Sequence, residues 1–205
     1  MAKLRDLLAG MGQQVREDAF WRWFKANLAK LAAIQTGQEP VFMQAYQQIQ
    51  RVHPDLLCEF AKGKDGVREV VISADGKRAA FGAVENLVAR APVILGWKVT
   101  AFRSRKSLDF SIRLDDRDIT ADDIWFDTTA NGTELDLQLY IKGLNNDTLE
   151  MLAQAAFLML DFSLGEYDVE TKLGSIDFSA LPPSPDVMGL HPLKELPAVV
   201  DGFSK

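Results

Sequence analysis

A single cysteine, Cys58, among 205 residues excludes a disulfide framework and a thiolate zinc site within one chain, and such usage suits a reducing compartment. Histidine is nearly as scarce. His53 and His191 show no HxH or HExxH spacing that would point to zinc. No GxGxxG or GxxxxGKS/T loop is present to cradle a phosphate, and no serine has the GxSxG context of an exposed nucleophile. No cofactor and no catalytic residue is therefore expected. No apolar run approaches the roughly 18 residues that a membrane-spanning helix needs. The stretch Met1 to Gly12 has Leu4, Leu7, Leu8 and Met11 at helical spacing, but Lys3, Arg5 and Asp6 interrupt it and no small-residue cleavage site follows. Neither a leader peptide nor membrane association is expected, and cytoplasmic residence is the default.

A basic excess is missing too. The chain holds 23 Lys/Arg against 29 Asp/Glu, a net charge of −6, which argues against a nucleic-acid footprint. The charges are unevenly spread. Residues 1–106 carry 17 basic against 10 acidic side chains, residues 107–136 carry 2 against 9, and residues 137–205 carry 4 against 10. Such a split fits pairing inside the fold, head-to-tail association into a homo-oligomer, or a basic protein partner.

What is present is enough apolar material for a full core: 47% hydrophobic with 25% charged residues, ordinary globular values. Phe20, Phe24, Leu28 and Leu31 form one helical stripe, which Trp21 and Trp23 widen. Gly37 stops that helix, and Pro40 opens a second one that ends near His53-Pro54. This αα-hairpin has a wide aromatic face. The core reading of Phe20, Trp21, Trp23 and Phe24 comes first, and a displayed patch would be a second interface. Strands are expected at Leu56 to Phe60 and Arg68 to Ala74, joined by the loop Lys62 to Gly66. A helix from Arg78 to Ala91 and a strand from Trp97 to Phe102 follow. A short strand at Phe110 to Leu114 precedes the central hairpin, Asp123 to Lys142. Asn146 or Asp147 caps a buried helix reaching about Phe162, and with Asp147 as the cap Glu150 completes a capping box. Leu173 to Phe178 adds a last strand.

Five of the eight prolines (Pro182, Pro183, Pro185, Pro192, Pro197) crowd the last 24 residues, so the tail is expected to be extended. The order of elements predicts an α+β fold. Its mainly antiparallel sheet is ferredoxin-like, or split β-α-β, with two packed helices and the N-terminal αα-hairpin. The segments are 1–55, the helical hairpin; 56–180, the sheet domain; and 181–205, the tail, together one compact unit.

The hairpin is the best functional lead. A two-residue type I′ turn at Asn131-Gly132 would pair Thr128 with Leu135, Phe126 with Leu137 and Ile124 with Leu139 on the core face. The other face then carries Asp123, Trp125, Asp127, Glu134, Asp136, Gln138 and Tyr140, with Asp127 opposite Asp136. That face could accept Lys or Arg from a protein partner, with Trp125 and Tyr140 as anchors, or be neutralised by Arg103, Arg105 or Lys106. Asp127 and Asp136 are also weak candidates for a divalent cation. So are Glu166 and Asp168, which point the same way if Gly165 to Lys172 is extended. The compact basic run Arg103 to Lys106 could clamp a phosphate or carboxylate, but more readily balances the acidic stretch.

Trp21-Arg22-Trp23-Phe24, Val71 to Gly76, Gly96 to Arg103 and Leu164 to Glu170 together resemble a family of uncharacterised bacterial proteins across roughly residues 20–180. The resemblance implies a bacterial cytoplasmic setting and carries no activity or catalytic residue with it. The expected function is a non-enzymatic interaction or regulatory protein of inhibitor, immunity or adaptor type. A carboxylate-based metal-dependent enzyme and a self-associating structural protein are the alternatives.

Overall fold

The computed structural model describes residues 2–63, 66–114 and 117–203, with side chains from residue 10 onward. Lys64 and Asp65 of the expected loop, and the side chains of Leu4, Leu7 and Leu8, lie outside the described residues. The protein is α+β, with seven α-helices and mostly antiparallel sheets among those residues. It divides into two compact units, Met1–Phe102 and Arg103–Lys205.

The first unit opens with α1 (Ala2–Ala26), α2 (Leu28–Ala32) and α3 (Pro40–Val52). Pro40 sits in the first turn of α3, where a missing N–H breaks no helical bond. Just before it, Glu39 accepts the backbone N–H groups of Gln35 (2.8 Å) and Thr36 (3.1 Å), which hold its carboxyl down to about 2. Strands β1 (Leu57–Lys62) and β2 (Arg68–Ser73) pair antiparallel. Helix α4 (Phe81–Ala89) then carries the chain to β3 (Trp97–Ala101), which runs parallel to β2. The aromatic stripe of α1 is core. Phe20, Trp21 and Phe24 are buried, and Trp23 packs half-buried against them. Phe24 meets Trp97 edge-on at 5.1 Å between ring centres, and Trp21 Nε1 donates to the Leu87 carbonyl at 2.8 Å, so the one polar atom of that ring is satisfied.

The second unit begins with the small antiparallel pair β4 (Ser111–Leu114) and β5 (Arg117–Thr120). The hairpin β6 (Ile124–Asn131) and β7 (Glu134–Ile141) follows, then α5 (Leu149–Leu164), α6 (Glu166–Lys172), β8 (Leu173–Ala180), β9 (His191–Pro192) and α7 (Leu196–Gly202). The sheet order is β8-β7-β6-β9, with β8 parallel to β7. Both units thus use one connection: an antiparallel pair, then a helical crossover to a strand parallel to the second member. A crossover of that kind returns the chain in the same direction, which a tight hairpin cannot do. The strands form three sheets among the described residues, rather than the single antiparallel one that the element order suggests.

Three local expectations are corrected. The Asp147–Glu150 capping box does not form. Asn145 Oδ1 instead accepts the N–H groups of Asp147 (2.9 Å) and Thr148 (3.1 Å), and Thr148 precedes the helix. Residues 166–172 are helical, not extended. The proline-bearing tail is not merely extended either, since it contributes β9 and α7. Pro192 lies on an edge strand and Pro197 in the first turn of a helix, the two places where a missing N–H is tolerated. Leu193, Leu196 and Val200 of this tail are buried among Ile124, Phe126 and Leu160. Leu196→Ala is accordingly expected to lower stability by about 2–5 kcal/mol, read as a reduced urea midpoint by circular dichroism. An unchanged midpoint would show that the tail is not part of the core.

Candidate functional site

The hairpin turns one residue later than Asn131-Gly132. Asn131 pairs with Glu134, leaving Gly132-Thr133 as the two-residue loop. Gly132 takes the positive φ (63°) at the first central position while Asn131 does not, as in a type II′ turn. The register moves by two residues, to Thr128 with Leu137, Phe126 with Leu139 and Ile124 with Ile141. Because side chains alternate with period 2, a two-residue shift keeps every residue on its expected face. Ile124, Phe126, Leu135, Leu137, Leu139 and Ile141 are all buried. The shift does change who faces whom outside. Asp127 lies opposite Gln138, not Asp136, and Asp136 lies opposite Thr129. The expected like-charge pair is absent.

Strand β8 completes this outer face. Its pairing aligns Gln138 with Asp177 and Tyr140 with Ser179. One row across the sheet therefore reads Asp127, Gln138, Asp177, and the next reads Pro192, Trp125, Tyr140, Ser179. Asp127 and Asp177 are exposed and carry no ion pair among the described residues. Trp125 and Tyr140 are half-buried beside them. A shallow groove of about 300 Å³ runs between Asp127, Thr129, Asp136, Gln138, Ser175 and Asp177.

Asp136 has a different task from its neighbours. Its carboxylate accepts the backbone N–H of Ser175 at 2.8 Å and the Asn131 side-chain amide at 3.0 Å. The Ser175 bond above all holds its carboxyl below the usual value of 3.8. A Cβ at Gly174 would collide with the same carboxylate, so the close approach requires glycine there. Asp123 is likewise structural. Burial pushes its carboxyl up, but bonds from the Thr120 N–H (3.0 Å) and hydroxyl (2.9 Å), with Lys142 Nζ at 3.4 Å, outweigh that and leave it lowered. Glu134 is half-buried next to the turn, opposite Asn131.

Arg105 of the basic run does not neutralise the face. Arg105 is spent on Asp201 (2.7 and 2.8 Å), Asp168 and the Leu164 carbonyl (2.9 Å). Glu166, buried in the first turn of α6, accepts the Arg103 N–H at 3.1 Å, whereas Asp168 pairs with Arg105 and with Lys172 at 3.2 Å. The two carboxylates are thus drawn to separate partners. Among the described residues no group of three or more His, Cys, Asp or Glu is placed to hold a metal ion. Burial pushes the Cys58 thiol up to about 12, so it is not a thiolate nucleophile. No helix among the described residues is long and apolar enough to cross a membrane.

Asp177 and Ser175 are site residues that the sequence reading missed. The alternation Ser175, Asp177, Ser179 against Ile176 and Phe178 marks a half-buried strand, but nothing local says that β8 lies beside β7. No protein-family model matches the chain, and no curated protein or solved structure matches it.

The Asp136 bonds imply a pH dependence. With a folded pKa below 3.8, its contribution to stability is complete above that value and is lost as pH falls through the folded pKa. Asp136→Asn is expected to flatten the acid limb of the thermal midpoint below about pH 4. Superimposable acid limbs for the two proteins would contradict the assignment.

Proposed function

We propose that the protein is a bacterial cytoplasmic interaction or regulatory protein, of inhibitor, immunity or adaptor type. In this reading the outer face of β8-β7-β6-β9 binds a basic segment of a protein partner. The observation that carries it is the row Asp127–Gln138–Asp177, whose two end carboxylates are exposed and make no ion pair among the described residues, beside the Trp125–Tyr140 pair. Two strand spacings separate those carboxylates by roughly 10 Å, a span that suits two cationic side chains of one segment. Gln138 between them offers a neutral amide. Trp125 and Tyr140 supply the aromatic area on which interface energies concentrate.

Longer-range charge supports the same reading. Residues 103–205 hold 9 Lys/Arg against 19 Asp/Glu, a net −10, so a cationic partner is steered toward this unit and nucleic acid is repelled. A Lys/Arg-rich peptide titrated into the labelled full chain should shift amides on β6, β7 and β8, with affinity falling as salt rises. The double change Asp127→Lys and Asp177→Lys should abolish that binding, and Trp125→Ala should weaken it by about thirtyfold, the 2 kcal/mol of an interface anchor. Binding that survives the double reversal would remove this face as the site.

Head-to-tail self-association is the competing reading, since residues 1–102 carry 14 Lys/Arg against 10 Asp/Glu, a net +4. It requires oligomers that dissociate as salt is added. Sedimentation velocity at low ionic strength showing only monomer would dismiss it.

A further inference from the structure

Strand β8 ends the sheet β8-β7-β6-β9, so one of its two edges has no neighbouring strand among the described residues. The ladder fixes which backbone groups lie on that edge. Leu181 donates its N–H to the Ile141 carbonyl at 3.0 Å, and Ser175 donates its own to the Asp136 carboxylate at 2.8 Å, so both point toward β7. Residues 176–180 pair with β7 without a further shift of register. Successive residues of a strand turn their N–H and C=O groups to opposite sides. Those of Ile176, Phe178 and Ala180 therefore point away from β7, and nothing else bonds them among the described residues. Exposed edges are ordinarily blunted by lysine, proline, an inward charge or a very short strand. The opposite edge is blunted, since β9 is only His191–Pro192. From Ile176 to Ala180 there is neither lysine nor proline, and the one charge, Asp177, is exposed on the outer face. On the inner face Phe178 is half-buried against the Phe157 ring, 5.5 Å between centres, and Phe157 itself is 46% exposed.

We propose that the partner's basic segment binds as an added strand on the free edge of β8, an inference that rests on the reading above that the outer face takes such a segment. The outward N–H and C=O groups of Ile176, Phe178 and Ala180 supply main-chain bonds, the way an extended peptide joins an exposed sheet edge. Alternation then dictates the composition of the segment. Its outer side chains come within about 5 Å of Asp177, where a cation makes an opposite-charge cross-strand pair. Its inner side chains cover Phe178 and Phe157, where apolar groups remove surface from water. The segment thus alternates Lys or Arg with apolar residues. Charge also decides against a second copy of this chain as the occupant. Pairing β8 with another β8 would bring a second Asp177 onto the same outer face.

An acetylated, amidated peptide of alternating lysine and valine, added to the labelled full chain, tests the strand. Two further forms carry N-methyl groups on every lysine or on every valine. Only one of those two sets of N–H groups can face β8, so one form should lose affinity by about tenfold or more while the other binds like the parent. The sensitive set reports whether the segment runs parallel or antiparallel to β8. Amide exchange at Ile176, Phe178 and Ala180 should slow by about tenfold with the parent peptide. Equal affinity of both N-methylated forms, with exchange at those amides unchanged, would overturn the added strand and leave side-chain recognition by the face intact. N-methyl-sensitive binding that survives the Asp127→Lys and Asp177→Lys double change would do the reverse, keeping the strand and removing the charged face. No binding of the parent peptide would overturn both. Exchange at the same amides that slows with protein concentration, without peptide, would give the edge to a second copy and overturn the proposal.

Discussion

The outer sheet face depends on the grip of one carboxylate on a neighbouring strand. Asp136 takes the Ser175 N–H and the Asn131 amide together, at the point where the β7–β8 pairing slips between Leu135 and Leu137. That slip sets which residue of β8 meets which residue of β7. It puts Asp177 level with Gln138, and hence in line with Asp127. Without it the polar side chains of β8 would still face outward, by alternation, but in no fixed relation to those of the hairpin. The carboxylate that builds the face is therefore saturated, and the two that remain available are the ones it positions.

The same economy governs the other charges of the second unit. Arg105 joins Asp168 and Asp201, Lys142 reaches Asp123, and Lys194 reaches Asp122, so these three of the nine cations are committed to carboxylates within the unit. With 9 basic against 19 acidic residues, this unit cannot neutralise its own surface. Part of that excess, Asp127 and Asp177, lies on the sheet face, where charge costs little in water and favours approach of a cationic partner.

Most of the elements were legible in the sequence because they rest on local rules. Helical spacing around Phe20 and Phe24, Pro40 at a helix start, and alternation through the hairpin each fix their own residues. The hairpin register was not legible, since Asn-Gly favours one turn while the strand pairing settles for glycine at the first central position of another. The tail was misread for a similar reason. Proline was counted as a breaker, although Pro192 and Pro197 occupy an edge strand and a first helical turn, where its missing N–H is harmless. Half of the candidate face was also hidden. Trp125, Asp127 and Tyr140 follow from alternation within the hairpin, but Asp177 joins them only through a parallel pairing made after two helices, which no local pattern reports.

Site-specific photo-crosslinking in cells addresses the central claim most directly, because it asks whether this face meets a partner without presupposing which one. A crosslinking residue at Thr129 samples the groove without touching Asp127, Asp177 or the aromatic pair, and one at exposed Glu85 on α4 serves as control. The account predicts a discrete protein adduct at position 129, lost when Asp127 and Asp177 are reversed in charge and absent at position 85. No adduct at 129, or the same adducts at both positions, would contradict it.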